Sequence, residues 1–208
     1  MNIPTEVLEE MNLCDPQIVA LIEKFKEFVV KNTIENTVDK FLRFGTPYIF
    51  KEDEDKYYEL VRDIEKYFKV NRGNIYVVGS SKLGFSIAPG KRFKQWTIDS
   101  DIDIALIDNT TFLNYWKQLY SYNPGVAYRT EDEEQKYNTF SKYFRKGWLR
   151  PDLFPIKMAD EVFGFLNQIS GKYGYKVRVG LYVDTFFFDQ YNKKNIKEIK
   201  EDLLNGLY

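Results

Sequence analysis

The sequence is most informative at Tyr76-Val-Val-Gly-Ser-Ser-Lys82 and, after a basic connection, at Asp99-Ser-Asp-Ile-Asp-Ile-Ala-Leu-Ile-Asp108. The first segment is β-branched and aromatic and then reaches glycine, which predicts a strand from Ile75 to Val78 that stops at Gly79-Ser80. The second segment alternates in polarity from Ile98 onward, which predicts a strand with one acidic and one apolar face. The acidic face holds Asp99, Asp101 and Asp103, and the apolar face holds Ile102, Ile104 and Leu106 together with Ser100.

The acidic face predicts a metal site. Like charges beside one another weaken a sheet, so three carboxylates on one strand face imply a cation that offsets their repulsion. Side chains two residues apart on a strand are about 6–7 Å apart along the backbone, so Asp101 and Asp103 can converge on one ion. Hard divalent cations with oxygen ligands, Mg²⁺ or Mn²⁺, suit such a pair. The structural alternative is an exposed edge strand that carries acidic residues.

The order of the two segments resembles the nucleotidyltransferase superfamily of DNA polymerase β. That family has an apolar residue followed by Gly and by Gly or Ser, and later an Asp-x-Asp with apolar flanks; this chain matches it with Val78-Gly79-Ser80 and Asp101-Ile102-Asp103-Ile104. The resemblance implies that Asp101 and Asp103 are catalytic and hold two metal ions. It also implies that the triphosphate of a nucleoside triphosphate binds the turn formed by Gly79, Ser80, Ser81 and Lys82.

The chain departs from the family pattern in two ways. Its connection from Ser81 to Ser100 is longer than in most members, and the third metal-binding carboxylate expected on a later strand is not evident. We take Asp184, directly after a predicted strand from Tyr175 to Val183, as the third catalytic acid, with Asp152 and Asp160 as alternatives. A helix cap explains Asp184 equally well. Without a third acid the acceptor hydroxyl would lack its general base.

The long connection is basic. It carries Lys82, Lys91, Arg92 and Lys94, with Pro89-Gly90 as a turn signal. Such a segment is either a solvated loop or, given its place between the glycine–serine turn and the aspartates, a contact to the nucleotide or the acceptor. Arg178 has the same two interpretations, a phosphate contact or a surface charge.

Composition excludes several kinds of active site. The chain has 208 residues, no histidine and one cysteine, so histidine-dependent hydrolases, the usual zinc sites and an internal disulfide are ruled out. The net charge of −1 confines any polyanion binding to local basic patches. Aromatic residues make up 17% of the chain, and they serve either in the core or as surfaces on which bases stack.

Nothing in the sequence indicates a membrane protein. The N-terminus shows no basic-plus-apolar signal segment, and no apolar run approaches the roughly 20 residues that span a bilayer. We therefore expect a cytoplasmic protein that does not bind membranes.

Helical periodicity and turn signals predict an α/β (α+β) chain that forms a single domain over residues 1–208. Predicted helices cover 16–43 with a break near 32–36, then 52–68, 110–122, 131–147, 158–169 and 185–204. A short strand is predicted at 126–129. We expect a small mixed sheet with helices packed mainly on one side, a nucleotidyltransferase-like core over 71–208 and an N-terminal helical extension over 1–70.

Other phosphate and metal motifs fit poorly. Gly79 and Gly84 have the glycine spacing of a P-loop, but Phe85 stands where the lysine is needed. An EF-hand that begins at Asp99 lacks the required glycine and ends at Thr110 instead of glutamate. No Gly-x-Gly-x-x-Gly is present.

Two functions remain open. The first is a metal-dependent nucleotidyltransferase that moves a nucleoside monophosphate from an NTP to a hydroxyl of RNA, protein or a small molecule, with Mg²⁺ or Mn²⁺ as cofactor. The second is a catalytically inactive relative that binds nucleotide, or a protein partner, without transfer.

Overall fold

The computed structural model describes residues 15–122, 131–153 and 158–207. These residues form a mixed α/β structure with a four-stranded sheet in the order β1-β2-β4-β3. The strands are β1 Ile75–Val78, β2 Ile102–Ile107, β3 Trp148–Leu149 and β4 Val177–Tyr182. β2 pairs antiparallel with β1 and parallel with β4, and β3 pairs antiparallel with β4. The prediction of a mixed α/β chain with a small mixed sheet is confirmed.

The helices begin where the sequence supplies caps. The Asp15 carboxylate accepts a hydrogen bond from the Gln17 N–H at 2.8 Å and Pro16 follows it, so the first helix starts with both an N-cap and a proline in the first turn. A short π-helical turn, Asp39–Arg43, follows the second helix. The helices are α1 Pro16–Lys31, α2 Ile34–Val38, α3 Glu54–Phe68, α4 Gly79–Leu83, α5 Asn109–Tyr122, α6 Glu131–Phe144, α7 Met158–Tyr173 and α8 Thr185–Leu204.

The two faces of the sheet are covered differently. Ile102, Ile104 and Leu106 of β2 point into the main core, which is completed by buried residues of α3, α5, α6 and α7. On the other face Ala105 and Ile107 belong to a smaller cluster with Phe188 of α8. α8 covers only part of this second face, and the uncovered part is the floor of a cleft.

Some boundaries differ from those predicted. β2 begins at Ile102 instead of Ile98, because the Ser100 N–H donates to the Thr97 carbonyl at 2.9 Å and closes a turn that contains Asp99. The edge strand β3 was not predicted. The strand predicted at 126–129 lies outside the described residues.

No helix in the described ranges has both the length and the apolar character that a membrane span requires.

Candidate active site

A cleft of about 550 Å³ opens on the sheet face that α8 only partly covers. The ends of β1, β2 and β4 form its floor, and α8 and the residues after β3 form one wall. The basic loop, which we define as residues 84–97, forms another wall. The volume of the cleft lies in the usual range for a small-molecule site.

Asp103 and Gly79 face each other across the strand pair β1–β2. Asp103 lies opposite Val78 in register, so the turn at Gly79 comes directly beside its carboxylate. Gly79 has φ +68°, and a Cβ at this position would lie 3.0 Å from Asp103 Oδ2. Both the backbone conformation and the close approach therefore require glycine.

The Asp103 carboxylate is mostly buried and accepts no hydrogen bond from the described residues. Burial, and next the neighbouring charge of Asp101, raise its pKa to about 6; Arg178, Arg150 and Lys91 act in the opposite direction. A buried charge without a hydrogen-bond partner is costly. A cation bound beside Asp103 would therefore stabilise its ionised form.

Asp101 is already paired. It lies one residue before β2, and its Oδ2 accepts a hydrogen bond from Arg178 Nε. Arg178 is the register partner of Asp103 on β4, so the strand beside the aspartates presents a guanidinium to the cleft. Within the described part of the chain, Asp103 is the member of the pair that forms no ion pair at contact distance, although Arg178, Arg150 and Lys91 lie near enough to act on its pKa.

The structure does not bring the predicted third acid to this pair. Asp184 lies at the opposite end of β4, is exposed, and caps α8 by accepting a hydrogen bond from the Phe187 N–H at 3.3 Å. Asp152 forms an ion pair with Arg150, and Asp160 lies exposed in the first turn of α7. No group of three or more acidic or cysteine side chains in the described residues is arranged to hold a metal ion.

The predicted nucleotide-binding turn divides between the cleft and the interior. Gly79 and Ser80 line the cleft. The Ser81 hydroxyl is buried and donates to the Val78 carbonyl at 2.9 Å, and the buried Lys82 ammonium donates to the Gly45 carbonyl. Burial lowers the pKa of Lys82 to about 8. The chain becomes helical at Gly79, so successive side chains rotate by about 100° and those of Ser81 and Lys82 point away from the cleft.

The basic loop is ordered by backbone hydrogen bonds. The Ser86 N–H donates to the Lys94 carbonyl and the Phe93 N–H donates to the Ser86 carbonyl, both at 2.8 Å. Lys91 and Lys94 line the cleft and form no ion pair within the described ranges. Two ammonium groups without an ion pair thus line the same cleft as the aspartates, and this arrangement favours a polyanionic ligand.

Several cleft residues were not predicted as part of the site. They reach the cleft from β3, β4 and α8, which are distant in sequence from the aspartates. The alternation Arg178, Gly180, Tyr182 on β4 was the one local signal that could have indicated them. The residues are Trp148, Arg150, Gly180, Tyr182, Tyr191, Asn192 and Asn195.

The residues present fit a divalent cation. Mg²⁺ in proteins is commonly bound by one or two carboxylates and completes its shell with water and substrate phosphate oxygens. Asp101 and Asp103 can supply such ligands, and the unpaired charge of Asp103 would gain a partner. Comparison of the chain with protein-family models, with curated proteins and with solved structures gives no match.

Proposed function

We propose that the cleft binds a nucleoside triphosphate with Mg²⁺ or Mn²⁺, and that the protein is a nucleotidyltransferase-like enzyme. It would transfer a nucleoside monophosphate to an acceptor hydroxyl of RNA, protein or a small molecule. The proposal rests mainly on Asp103, a mostly buried carboxylate without a hydrogen-bond partner in the described residues, which lies beside Gly79 and shares the cleft with two lysines that form no ion pair.

Each wall of the cleft has a part in this reaction. Asp101 and Asp103 would hold the cation, which when bound stabilises charge on the transferring phosphoryl group and activates the attacking hydroxyl. Lys91 and Lys94 of the basic loop would neutralise the triphosphate, and Ser80, which also lines the cleft, would contact it. Asp99 lies at the exposed rim of the same cleft and would take the proton of the acceptor hydroxyl.

The test is transfer of label from each α-labelled NTP, with Mg²⁺, to components of a cell extract. Labelling by the unaltered protein should be lost in Asp101→Asn and in Asp103→Asn. Asp184→Asn is the matched control and should keep full labelling, because asparagine also caps helices well. Labelling that survives in Asp103→Asn and disappears in Asp184→Asn would show that the assignment of the site is wrong.

A second function, nucleotide or partner binding without transfer, is favoured by the Asp101–Arg178 ion pair. The guanidinium occupies one carboxylate of the pair and so leaves fewer ligands for metal. This function predicts Mg²⁺-dependent binding of NTP with no labelled product under any acceptor condition. Multiple turnovers by the purified protein would eliminate it.

A further inference from the structure

The α8 end of the cleft is aromatic, in contrast to the charged end. Trp148 lies 5.9 Å from Tyr182 in a stacked arrangement and 6.1 Å from Tyr191 in an edge arrangement, measured between ring centroids. The Trp148 ring lies over Gly180 of β4, where a Cβ would contact the ring at an ordinary van der Waals distance of 3.6 Å. Tyr191 remains 39% exposed at the rim. Trp148 is flanked by Tyr182 and by Tyr143, whose ring centroid is 4.2 Å away, so Tyr191 is the ring at this end that remains exposed to a flat ligand.

Two polar atoms at this end, one in Trp148 and one in Asn192, lack hydrogen-bond partners in the described residues. The Trp148 indole N–H is buried and makes no hydrogen bond with the described residues. Asn192 is 8% exposed and donates its amide nitrogen to the Phe188 carbonyl at 2.8 Å. Because that bond fixes the amide orientation, the Asn192 carbonyl oxygen is the polar atom left for the cleft. One unfilled donor and one unfilled acceptor thus accompany the aromatic rings.

We propose that this end of the cleft is a nucleobase subsite that takes adenine. The ring lies against Tyr191, and its exocyclic amino group donates to the Asn192 carbonyl oxygen. A ring nitrogen accepts from the Trp148 N–H, which lies in the plane of the indole and therefore meets the edge of the base. Adenine presents an amino donor beside a ring-nitrogen acceptor, which is the complement of these two protein groups. Base–aromatic stacking adds affinity that does not depend on the base.

The same groups discriminate against oxo-substituted bases. Hypoxanthine has a carbonyl oxygen where adenine has its amino group, so two acceptors would meet at Asn192. A site built to bond an N–H of its ligand rejects the analogue that lacks it, because the buried acceptor is then left unpaired. ATP and ITP therefore differ at the one atom that this subsite reads.

This inference rests on the proposed function, so its test separates the base from the phosphates. Calorimetric titrations with Mg²⁺ compare inorganic triphosphate, ATP and ITP on the unaltered protein. We expect triphosphate to bind, ATP to bind more tightly than triphosphate, and ATP to bind at least about tenfold more tightly than ITP. The comparison needs no variant and is decided on the native chain.

Two variants provide a second test of the subsite. Asn192→Leu removes the acceptor and should bring the affinities for ATP and ITP together, with triphosphate binding unchanged. Gln190→Leu removes an exposed amide on the same helix outside the cleft and should keep the preference for ATP.

The outcomes that overturn the subsite differ from those that overturn the proposed function. If triphosphate binds in an Asp103-dependent way but ATP binds no more tightly, or if ITP equals ATP, the subsite is wrong and the phosphate site stands. If neither triphosphate nor ATP binds, both proposals fail together.

Discussion

The ionised carboxylate of Asp103 lowers the stability of the folded protein. Its carboxylate is held in a mostly buried place with no hydrogen bond from the described residues, and Asp101 lies nearby. Carboxylates with such unfavourable electrostatics occur mainly at functional sites. The perturbed pKa of Asp103 therefore supports the proposed cation site.

Replacing Asp103 by asparagine should stabilise the metal-free protein. The pKa is raised from 3.8 to about 6, so the folded state carries its full penalty above pH 6 and loses it as the pH falls toward 3.8. Chemical unfolding should show a gain of about 2–3 kcal/mol at pH 7.5 that fades by pH 4. Asp101→Asn, which loses the ion pair with Arg178, should show no such gain. A destabilised Asp103→Asn at pH 7.5 would contradict the electrostatic account.

Gly79→Ala should impair metal binding beyond its effect on stability. The added Cβ would lie 3.0 Å from Asp103 Oδ2 and must displace that carboxylate, whereas Gly90, with φ +77°, has nothing within 4 Å of its Cβ position. In both alanine variants the left-handed backbone lowers the free energy of unfolding by about 1 kcal/mol. Mn²⁺ titrations should show weaker binding in Gly79→Ala alone. Equal Mn²⁺ affinities in the two variants would show that the contact is unimportant.

Among the elements, α8 organises the cleft because two arginines tie it to other parts of the chain. Arg43, in the π-helical turn, forms ion pairs with Asp39 and with Asp189 of α8. Arg92, in the basic loop, forms ion pairs with Glu198 and Asp202 of α8. These ion pairs attach α8 to the π-helical turn and to the basic loop.

Arg92→Leu should loosen the basic loop. The Arg92 side chain is 11% exposed and its loss leaves two carboxylates of α8 without their counter-ion. We expect destabilisation by about 1–3 kcal/mol and faster amide exchange over residues 84–97. Arg72→Leu breaks a more exposed pair with Glu65 and should cost less than about 1 kcal/mol. Unchanged exchange in the loop would mean that its backbone hydrogen bonds suffice to hold it.

For the molecule as a whole, the N-terminal helices and the cleft share a core. Phe25 of α1 is fully buried and packs edge-on against Phe41 and Phe85, with ring centroids 5.0 and 5.3 Å away. Phe85 lies in the basic loop, and the same cluster includes Ile196 and Ile199 of α8. Packing at α1 is thereby connected to both walls of the cleft.

Phe25→Ala should destabilise the entire chain in one transition. A cavity in this core should cost about 3–5 kcal/mol, while Phe163→Ala, at a side chain on α7 whose residue is 56% exposed, should cost far less. Urea unfolding followed by circular dichroism and by tryptophan fluorescence should give coincident curves that shift together. Separate midpoints for the two probes would show that residues 1–70 unfold as an independent unit.

Local signals in the sequence were sufficient for much of this architecture. The Asp15-Pro16 start of α1, the apolar alternation of β2 and the strand β4 all follow from nearest-neighbour patterns. The cleft depended on more. β3 has only two residues, too few for any periodicity, and it is positioned by pairing with Tyr182 and Leu181. That Arg178 would meet Asp101 follows only once β4 is known to lie beside β2.

The Gly79 turn shows the same limit at close range. The sequence identifies the strand end and the glycine, but the direction of each following side chain depends on whether the backbone continues as a loop or a helix. The helical turn of α4 leaves Ser80 at the cleft and buries Ser81 and Lys82. Tertiary contacts determine the direction of these side chains, and one of them is the hydrogen bond from the Lys82 ammonium to the Gly45 carbonyl.

The lengths of the strands have a consequence for association between copies. β1 and β3, which border the described sheet, have four and two residues, whereas the strongly apolar β2 and β4 are interior and have six each. Short borders present few unpaired amide and carbonyl groups to which a foreign strand could add. The segments with the greatest tendency to form amyloid-like ladders are thus interior strands of the sheet. In the folded protein they are not available to pair with the same segments of another molecule.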